Sequence, residues 1–173
     1  MILKMSKPPQ QELLEFLNYD PLTGIVTWKK AKSNRVRIGD VAGNRATPGH
    51  LQIKFNGQTL QLHAVIWCMV YGYWPDLLDH EDTVKTNNRL NNLREATSVQ
   101  NAQNRNIRSD NISAYKGVNK KPNGRYRSRI WNGTKNITLG TFATPKEAAE
   151  AYDKAAINVF GQFALTNKSL GLL

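Results

Sequence analysis

Between residues 79 and 101 the chain sets an Asp-His pair, Asp79 and His80, ahead of two amides, Asn92 in NNLR and Asn101 in SVQNAQNR. Leu77-Leu78-Asp79 reads as a short strand and Asn92 to Ala96 as a return strand. Thr97, with Gln100 three residues on, reads as a capping box opening a helix whose first turns hold Asn101. The order strand, loop, strand, helix lets a group near the first strand face one on the helix. A carboxylate oxygen and an amide carbonyl oxygen suit Mg2+ or Mn2+, which favour oxygen donors and keep positions open for water, so Asp79 and Asn101 are the expected ligands. His80, an imidazole with an ordinary pKa of about 6.5, is better used as a general base near neutral pH than as a ligand. Such a base works in one tautomer only, so a partner for its other ring nitrogen is expected nearby. Taken singly, an Asp-His pair is usually a solvated loop, and Asn87-Asn88 and Asn91-Asn92 are usually turns.

Their joint spacing is more specific. The segment DHEDTVKTNNRLNNLREATSVQNAQN resembles the phage-type HNH endonucleases, in the variant whose last motif position is Asn. The resemblance implies a ββα-metal (His-Me finger) module, hydrolysis of a phosphodiester bond by water activated at His80, and an orienting role toward His80 for Asn92 or its backbone carbonyl. Where such sequences usually carry Gly-Asn after the Asp-His pair, this chain has Thr83-Val84; the loop length is kept, which implies altered turn geometry rather than a dead site. For Arg89 and Arg94 a structural ion pair and a phosphate contact both stand open. His63, in LQLHAVIW, follows a strand pair joined by Asn56-Gly57, a two-residue hairpin signal. Family members often have His there, commonly followed by Arg where this chain has Ala64. A packing or hydrogen-bonding role and a catalytic contact with the scissile phosphate are both open for it. His50, in PGH, has only a surface reading, and Cys68, in AVIWCMVY, reads as a buried small hydrophobe.

Composition narrows the partners. With 24 Lys and Arg against 13 Asp and Glu, the chain carries +11, a surface that attracts polyanions. One cysteine rules out an intramolecular disulfide and a Cys-rich zinc ribbon, and implies a reducing compartment. No long apolar segment and no signal-peptide pattern are present, so a cytoplasmic protein without membrane contact is expected, in the host cell if the gene is phage-borne. Residues 1–101 hold 12 basic and 9 acidic side chains, whereas residues 102–173 hold 12 and 4. Between the two halves, AQNRNIRSDNIS is polar and aperiodic and reads as a linker. The expected division is a nuclease domain over 1–105, a linker over 106–112 and a second domain over 113–173.

From Ser113, four marks (YKGV, the strand from Tyr126 to Trp131, LGTF, and EAAEAYDKAA) make the chain resemble an AP2 domain over nearly all of its remaining length. The residues give the same outline independently. Three short strands, turning at Pro122-Asn123-Gly124 and Asn132-Gly133, lead into one helix capped by Thr144, Pro145 and Glu147 and ended by Gly161. Ala148, Ala149, Tyr152, Ala155, Ala156 and Val159 recur at helical spacing and are expected against the sheet. Arg125, Arg127, Arg129 and Trp131 alternate with Tyr126 and Ile130, giving one basic and one apolar sheet face. A basic three-stranded sheet can enter the major groove. By the AP2 resemblance, Lys116, Asn119 and Lys121 on strand one, and Asn136 and Thr138 on strand three, also face DNA.

Near the N-terminus, Gln10 to Leu17 reads as a short helix with Leu13, Leu14 and Leu17 on one face, and FLNYDPLTGIVTW resembles the entry segment of phage HNH proteins. Lys29, Lys30, Lys32, Arg35 and Arg37 form a charge run open to two readings, a solvated loop and a DNA-tracking arm. The expectation is a two-domain α+β protein, a metal-dependent, site-preferring endonuclease for double-stranded DNA of homing type. It would cut one strand per active site, both strands when two chains pair on DNA. Its rivals are a non-catalytic DNA-binding regulator with a decayed nuclease fold and, disfavoured for want of paired stacking aromatics, an RNA binder.

Overall fold

The computed structural model describes residues 6–31, 35–46, 49–107 and 110–173. The chain divides into two compact units, Met1–Glu95 and Ala96–Leu173, so the division falls earlier than the boundary expected at 105. Residues after Glu95 bond onward: the Lys116 ammonium donates to the Gln103 carbonyl oxygen at 2.7 Å, and Ser113 Oγ donates to the Val118 carbonyl oxygen at 2.8 Å. Lys32 of the charge run and Arg108-Ser109 of the expected linker lie outside the described residues.

In the first unit, helix α1 (Gln10–Phe16) runs into a hairpin of β1 (Leu17–Asp20) and β2 (Ile25–Trp28), paired from Leu17↔Trp28 to Asp20↔Ile25. Leu13 and Leu17 are wholly buried, but Leu14 is 41% exposed, so the third leucine of the expected apolar face points away from the core. Lys29 donates to the Leu14 carbonyl oxygen and Lys30 pairs with Glu15, which ties the start of the charge run to α1.

A three-stranded sheet follows, β3 (Asn44–Arg45), β4 (Leu51–Phe55) and β5 (Gln58–Gln61), with β4 in the middle. Asn56 at φ 49° and Gly57 at φ 76° make its β4–β5 turn, the two positive φ values that an Asn-Gly hairpin requires. β5 passes directly into α2 (Leu62–Tyr71), whose Leu62, Val65, Ile66, Trp67, Cys68 and Met69 are all buried. Phe55 packs against Trp28 and Phe16 beneath them. Each such aliphatic or aromatic side chain contributes about 1.5–3 kcal/mol on leaving water. Strands β6 (Leu78–His80) and β7 (Leu93–Glu95) close the unit as an antiparallel pair, with Asp79 opposite Arg94 and His80 opposite Leu93.

The second unit begins with α3 (Ser98–Gln103), opened by the expected reciprocal capping box of Thr97 and Gln100. Its sheet joins β8 (Val118–Lys120), β9 (Tyr126–Trp131) and β10 (Asn136–Phe142), with β9 central, and α4 (Pro145–Phe160) covers one face. Thr144, Pro145 and Glu147 cap α4 as expected, and Gly161 is its C-cap. Ala148, Ala149, Tyr152 and Ala156 are buried, whereas Val159 is 44% exposed and Phe160 takes its place in the core. The glycine of YKGV is required by packing: at Gly117, φ 75°, a Cβ would lie 1.9 Å from the Tyr152 ring. Asp153 is buried too. Its carboxylate accepts from the backbone N–H groups of Asn167 and Lys168, and from the Asn167 amide, which locks the C-terminal residues onto α4.

Candidate active centre and basic sheet face

Two short strands and one bridging loop build the centre of the first unit. Asp79 and His80 are 4% and 5% exposed, buried polar neighbours on β6. Because β6 and β7 pair Asp79 with Arg94, the guanidinium reaches across and donates through Nε and Nη2 to Asp79 Oδ2 at 3.0 and 2.8 Å. Of the two readings for Arg94, the structure displays the ion pair. Arg89 likewise donates within the protein, to the Leu22 carbonyl oxygen at 2.7 Å and, more weakly, to Asn87 Oδ1 at 3.3 Å.

The partner at the second ring nitrogen of His80 is Asn88: His80 Nε2 lies 2.9 Å from Asn88 Oδ1. With the amide oxygen as acceptor, Nε2 carries the proton and Nδ1 the lone pair. Sequence reasoning looked for such a partner in Asn92 or its backbone carbonyl. Asn92 instead braces the loop that carries Asn88: its Oδ1 accepts from the Asp82 N–H, its Nδ2 donates to Asp82 Oδ1 and to the Asn87 carbonyl oxygen, and its own carbonyl oxygen accepts from Glu81 N–H. Burial would push the Asp82 carboxyl up, but hydrogen bonds from Asn87, the Val84 N–H and Asn92 hold it below the usual carboxylate range. Thr83 in the same loop sits at φ 65°, a left-handed conformation costly for a β-branched side chain. The sequence reading expected an altered turn at Thr83-Val84.

The N-terminal hairpin fixes Asn88 from the other side. Tyr19 donates its hydroxyl to the Asn88 carbonyl oxygen at 2.8 Å, and burial pushes that phenol up to about 12. A Cβ on Gly24 would lie 2.6 Å from the Arg89 nitrogen and 2.7 Å from the Asn88 carbonyl carbon, so glycine alone lets the hairpin turn press against this segment. The hairpin of the N-terminal entry segment thus positions the partner of His80.

Two further imidazoles converge on His80. His50, from the loop before β4, and His63, the second residue of α2, have ring centroids 5.8 and 5.2 Å from the His80 ring, and 5.3 Å from each other. The surface reading of His50 is therefore corrected, since it is half-buried against two other histidines. Burial, with help from the charges of His80 and His50, drives the His63 pKa down to about 3. Burial, then Lys85 and His80, lowers that of His50. Among the described residues, buried His63 Nδ1 meets no hydrogen-bond partner. Of the readings for His63, the packed, neutral one is what the structure displays. Cys68 is buried as expected, and burial pushes its thiol up.

In the second unit, Asn119 pairs with Arg127, Thr138 with Arg129 and Asn136 with Trp131. These six residues share the sheet face opposite the one that holds Ser128 and Ile130, which are buried. Arg129, Trp131, Asn119, Asn136 and Thr138 are exposed; Arg127 is half-buried and its Nε meets no partner among the described residues. Lys121 and Arg125 flank the face beyond the strand ends, and Arg125 donates to the Thr141 carbonyl oxygen. Lys116 departs from the expectation: it precedes β8 and its ammonium caps the carbonyl end of α3 at Gln103. Burial brings its pKa down to about 8. Asn101 lies on α3 in this second unit. Among the described residues no helix is long and apolar enough to cross a membrane.

Comparison with known proteins agrees with both modules. Residues 60–103 match the HNH endonuclease family model, and residues 113–162 match the AP2 domain model. The chain therefore contains an HNH endonuclease module followed by an AP2 domain. It is 33% identical over 112 residues to an uncharacterized HNH endonuclease of Acanthamoeba polyphaga mimivirus, an alignment covering 63% of this chain and 58% of that protein. Over 62 residues it is 50% identical to the AP2-like ethylene-responsive transcription factor AIL7 of Arabidopsis thaliana, covering 34% of this chain and 12% of the plant protein. Over 57 residues it is 44% identical to an AP2/ERF and B3 domain-containing protein of Oryza sativa, 18% of whose length it spans. A solved structure of the HNH homing endonuclease I-HmuI aligns over 90% of this chain and 91% of its own, at 19% identity and a TM-score of 0.43.

Proposed function

We propose that the chain is a divalent-cation-dependent endonuclease that hydrolyses a phosphodiester bond in one strand of double-stranded DNA per engagement, directed to preferred sites by the AP2 sheet. The observation that carries this reading is the His80 Nε2 to Asn88 Oδ1 hydrogen bond, buried and 2.9 Å long. It sets the tautomer in which Nδ1 takes a proton from water. Asn88 is a positioning residue; Asn92, Tyr19 and Gly24 hold it in place.

Asp79 supplies a buried carboxylate, and Asn101 is carried over from the HNH resemblance as the second oxygen donor. Hard oxygen donors of this kind fit Mg2+ or Mn2+. When bound, such a cation supplies charge neutralisation at the leaving 3′-oxygen and the scissile phosphate. Arg94, donating two hydrogen bonds to Asp79 Oδ2, fixes the orientation of the carboxylate. His63 is neutral and offers the scissile phosphate no cationic contact.

In the second unit, Arg127, Arg129 and Trp131, with Asn119, Asn136 and Thr138, form the surface that reads bases, while Lys121 and Arg125 contact phosphates. Lys116, Arg89 and Arg94 serve the protein's own structure. One His80 per chain implies a nick, and two chains on adjacent sites would cut both strands. The compartment is the one that holds the DNA target.

The Arg94 to Asp79 pair favours the rival reading, a regulator whose carboxylate has become structural. Incubation with supercoiled plasmid separates them. Conversion to open circles with Mg2+ or Mn2+, and none in EDTA, is the expected result. Binding with no more relaxation in Mg2+ than in EDTA would establish the regulator instead.

A further inference from the structure

We propose that His50, His63 and His80 together form a binding site for a borderline transition cation of the zinc class, and that a cation held there takes His80 out of proton transfer. The inhibitory half rests on the nuclease reading above; the binding half does not.

The three side chains come from three elements, the loop before β4, the first turn of α2 and the end of β6, and their ligating nitrogens all lie within 4.8 Å of one another. A tetrahedral cation with nitrogen ligands at about 2.0–2.1 Å needs those nitrogens about 3.3 Å apart, so side-chain rotations of about 1 Å close the set. Three imidazoles select zinc, cobalt, nickel or copper over magnesium, which favours oxygen. The site is thus chemically distinct from the Asp79 carboxylate, although His80 is the next residue.

Three observations support a ligand there. The lowered pKa values of His50 and His63 keep their lone pairs available at neutral pH, so binding has few protons to displace. Among the described residues, buried His63 Nδ1 meets no partner, a cost that a ligand bond would offset. His80 already has the outer support that metal-binding histidines use: its Nε2 lies 2.9 Å from Asn88 Oδ1, which leaves Nδ1 as the ligating nitrogen. Lys85 lowers the pKa of His50 through its charge, and the same charge weakens binding of a further cation. Occupancy should therefore be reversible rather than structural. The nitrogen that would bind this cation is the one that takes the proton from water in hydrolysis, so the two uses exclude each other.

The test is a Co2+ titration of the full chain, read by the visible absorption of four-coordinate cobalt, followed by displacement with Zn2+. One Co2+ per chain is expected, with affinity reduced at least about ten-fold in both His50→Ala and His50→Gln. Circular dichroism of the two variants checks that they fold. The cobalt spectrum should persist in Asp79→Asn and Asn101→Ala. No four-coordinate spectrum in the wild type, or one indifferent to both His50 substitutions and lost in Asp79→Asn, overturns the proposal. Plasmid nicking at fixed Mg2+ is then measured against Zn2+, each protein normalised to its own zinc-free rate. The wild type should be inhibited over the range in which Zn2+ displaces Co2+, and the His50 variants should need at least about ten-fold more. Inhibition at equal Zn2+ in all three proteins would refute the coupling to His80. Three-histidine cobalt binding in a protein that never nicks DNA would leave the metal site standing and remove the nuclease reading.

Discussion

The first unit buries the polar groups of its centre, whereas the second displays its polar groups on an open sheet. Asp79, His80, Asn88 and Asn92 are each at most 8% exposed, yet Arg129, Trp131, Asn119 and Asn136 stand in solvent. Net charge divides in the same sense, +3 in the first unit and +8 in the second. The difference fits the division of labour proposed above. A base must hold one tautomer and one direction, which takes a packed hydrogen-bond partner. Recognition of a duplex needs long, hydrated side chains that reach outward and a field that attracts phosphate.

Substitutions that respect this division should separate the two activities. His80→Ala should show the largest effect, a loss of about 10²–10⁴ in single-turnover nicking with DNA affinity within a few-fold of wild type; nicking at the wild-type rate would remove His80 as the base. Asn88→Ala should cost about 10–100-fold, as loss of an orienting partner commonly does, and should shift the pH–rate profile while leaving affinity alone. An unchanged profile would mean that the His80 tautomer is set elsewhere. Arg127→Ala or Arg129→Ala should relax discrimination between preferred and random duplexes by about 1–3 kcal/mol where a base edge is read. A substitution that lowers affinity equally on all sequences, and flattens the log–log salt slope by about 0.9, marks a phosphate contact instead.

Two smaller effects belong to the first unit alone. His63 is neutral in the fold with a pKa of about 3 and binds a proton more readily when unfolded. Its contribution to stability is therefore full above about pH 6.5 and is lost as pH falls toward 3, by at most about 1.4 kcal/mol per pH unit. Denaturant melts of wild type and His63→Gln across that window should converge on acidification; parallel curves would show that another group governs the acid limit. Thr83→Gly relieves a positive φ and should raise stability by roughly 1 kcal/mol or less, since glycine's greater freedom in the unfolded chain offsets part of the gain.

Much of the local structure was legible in the sequence because it follows short-range rules. Thr97 with Gln100, Thr144 with Glu147, the Asn56-Gly57 turn and the alternation from Arg127 to Trp131 all stand as read. The failures share a cause. Asn88 looks like one more turn asparagine until Tyr19 and Gly24, more than sixty residues earlier, press its backbone into place. His50 carries no local signal at all; it meets His63 and His80 only once β4, β5, α2 and β6 have packed. Lys116 and Arg94 carry the charge expected of DNA contacts, but each finds a partner inside the protein first.

The most direct measurement places two full-length variants, His80→Ala and the double variant Arg127→Ala/Arg129→Ala, on one preferred duplex. Dissociation constants at two salt concentrations and single-turnover nicking rates at saturating protein are read side by side. His80→Ala should keep its affinity and lose its rate, and the sheet variant should lose affinity and selectivity while nicking at close to the wild-type rate once saturated. If either substitution lowers rate and affinity by the same factor, the separation of chemistry in the first unit from recognition in the second is wrong.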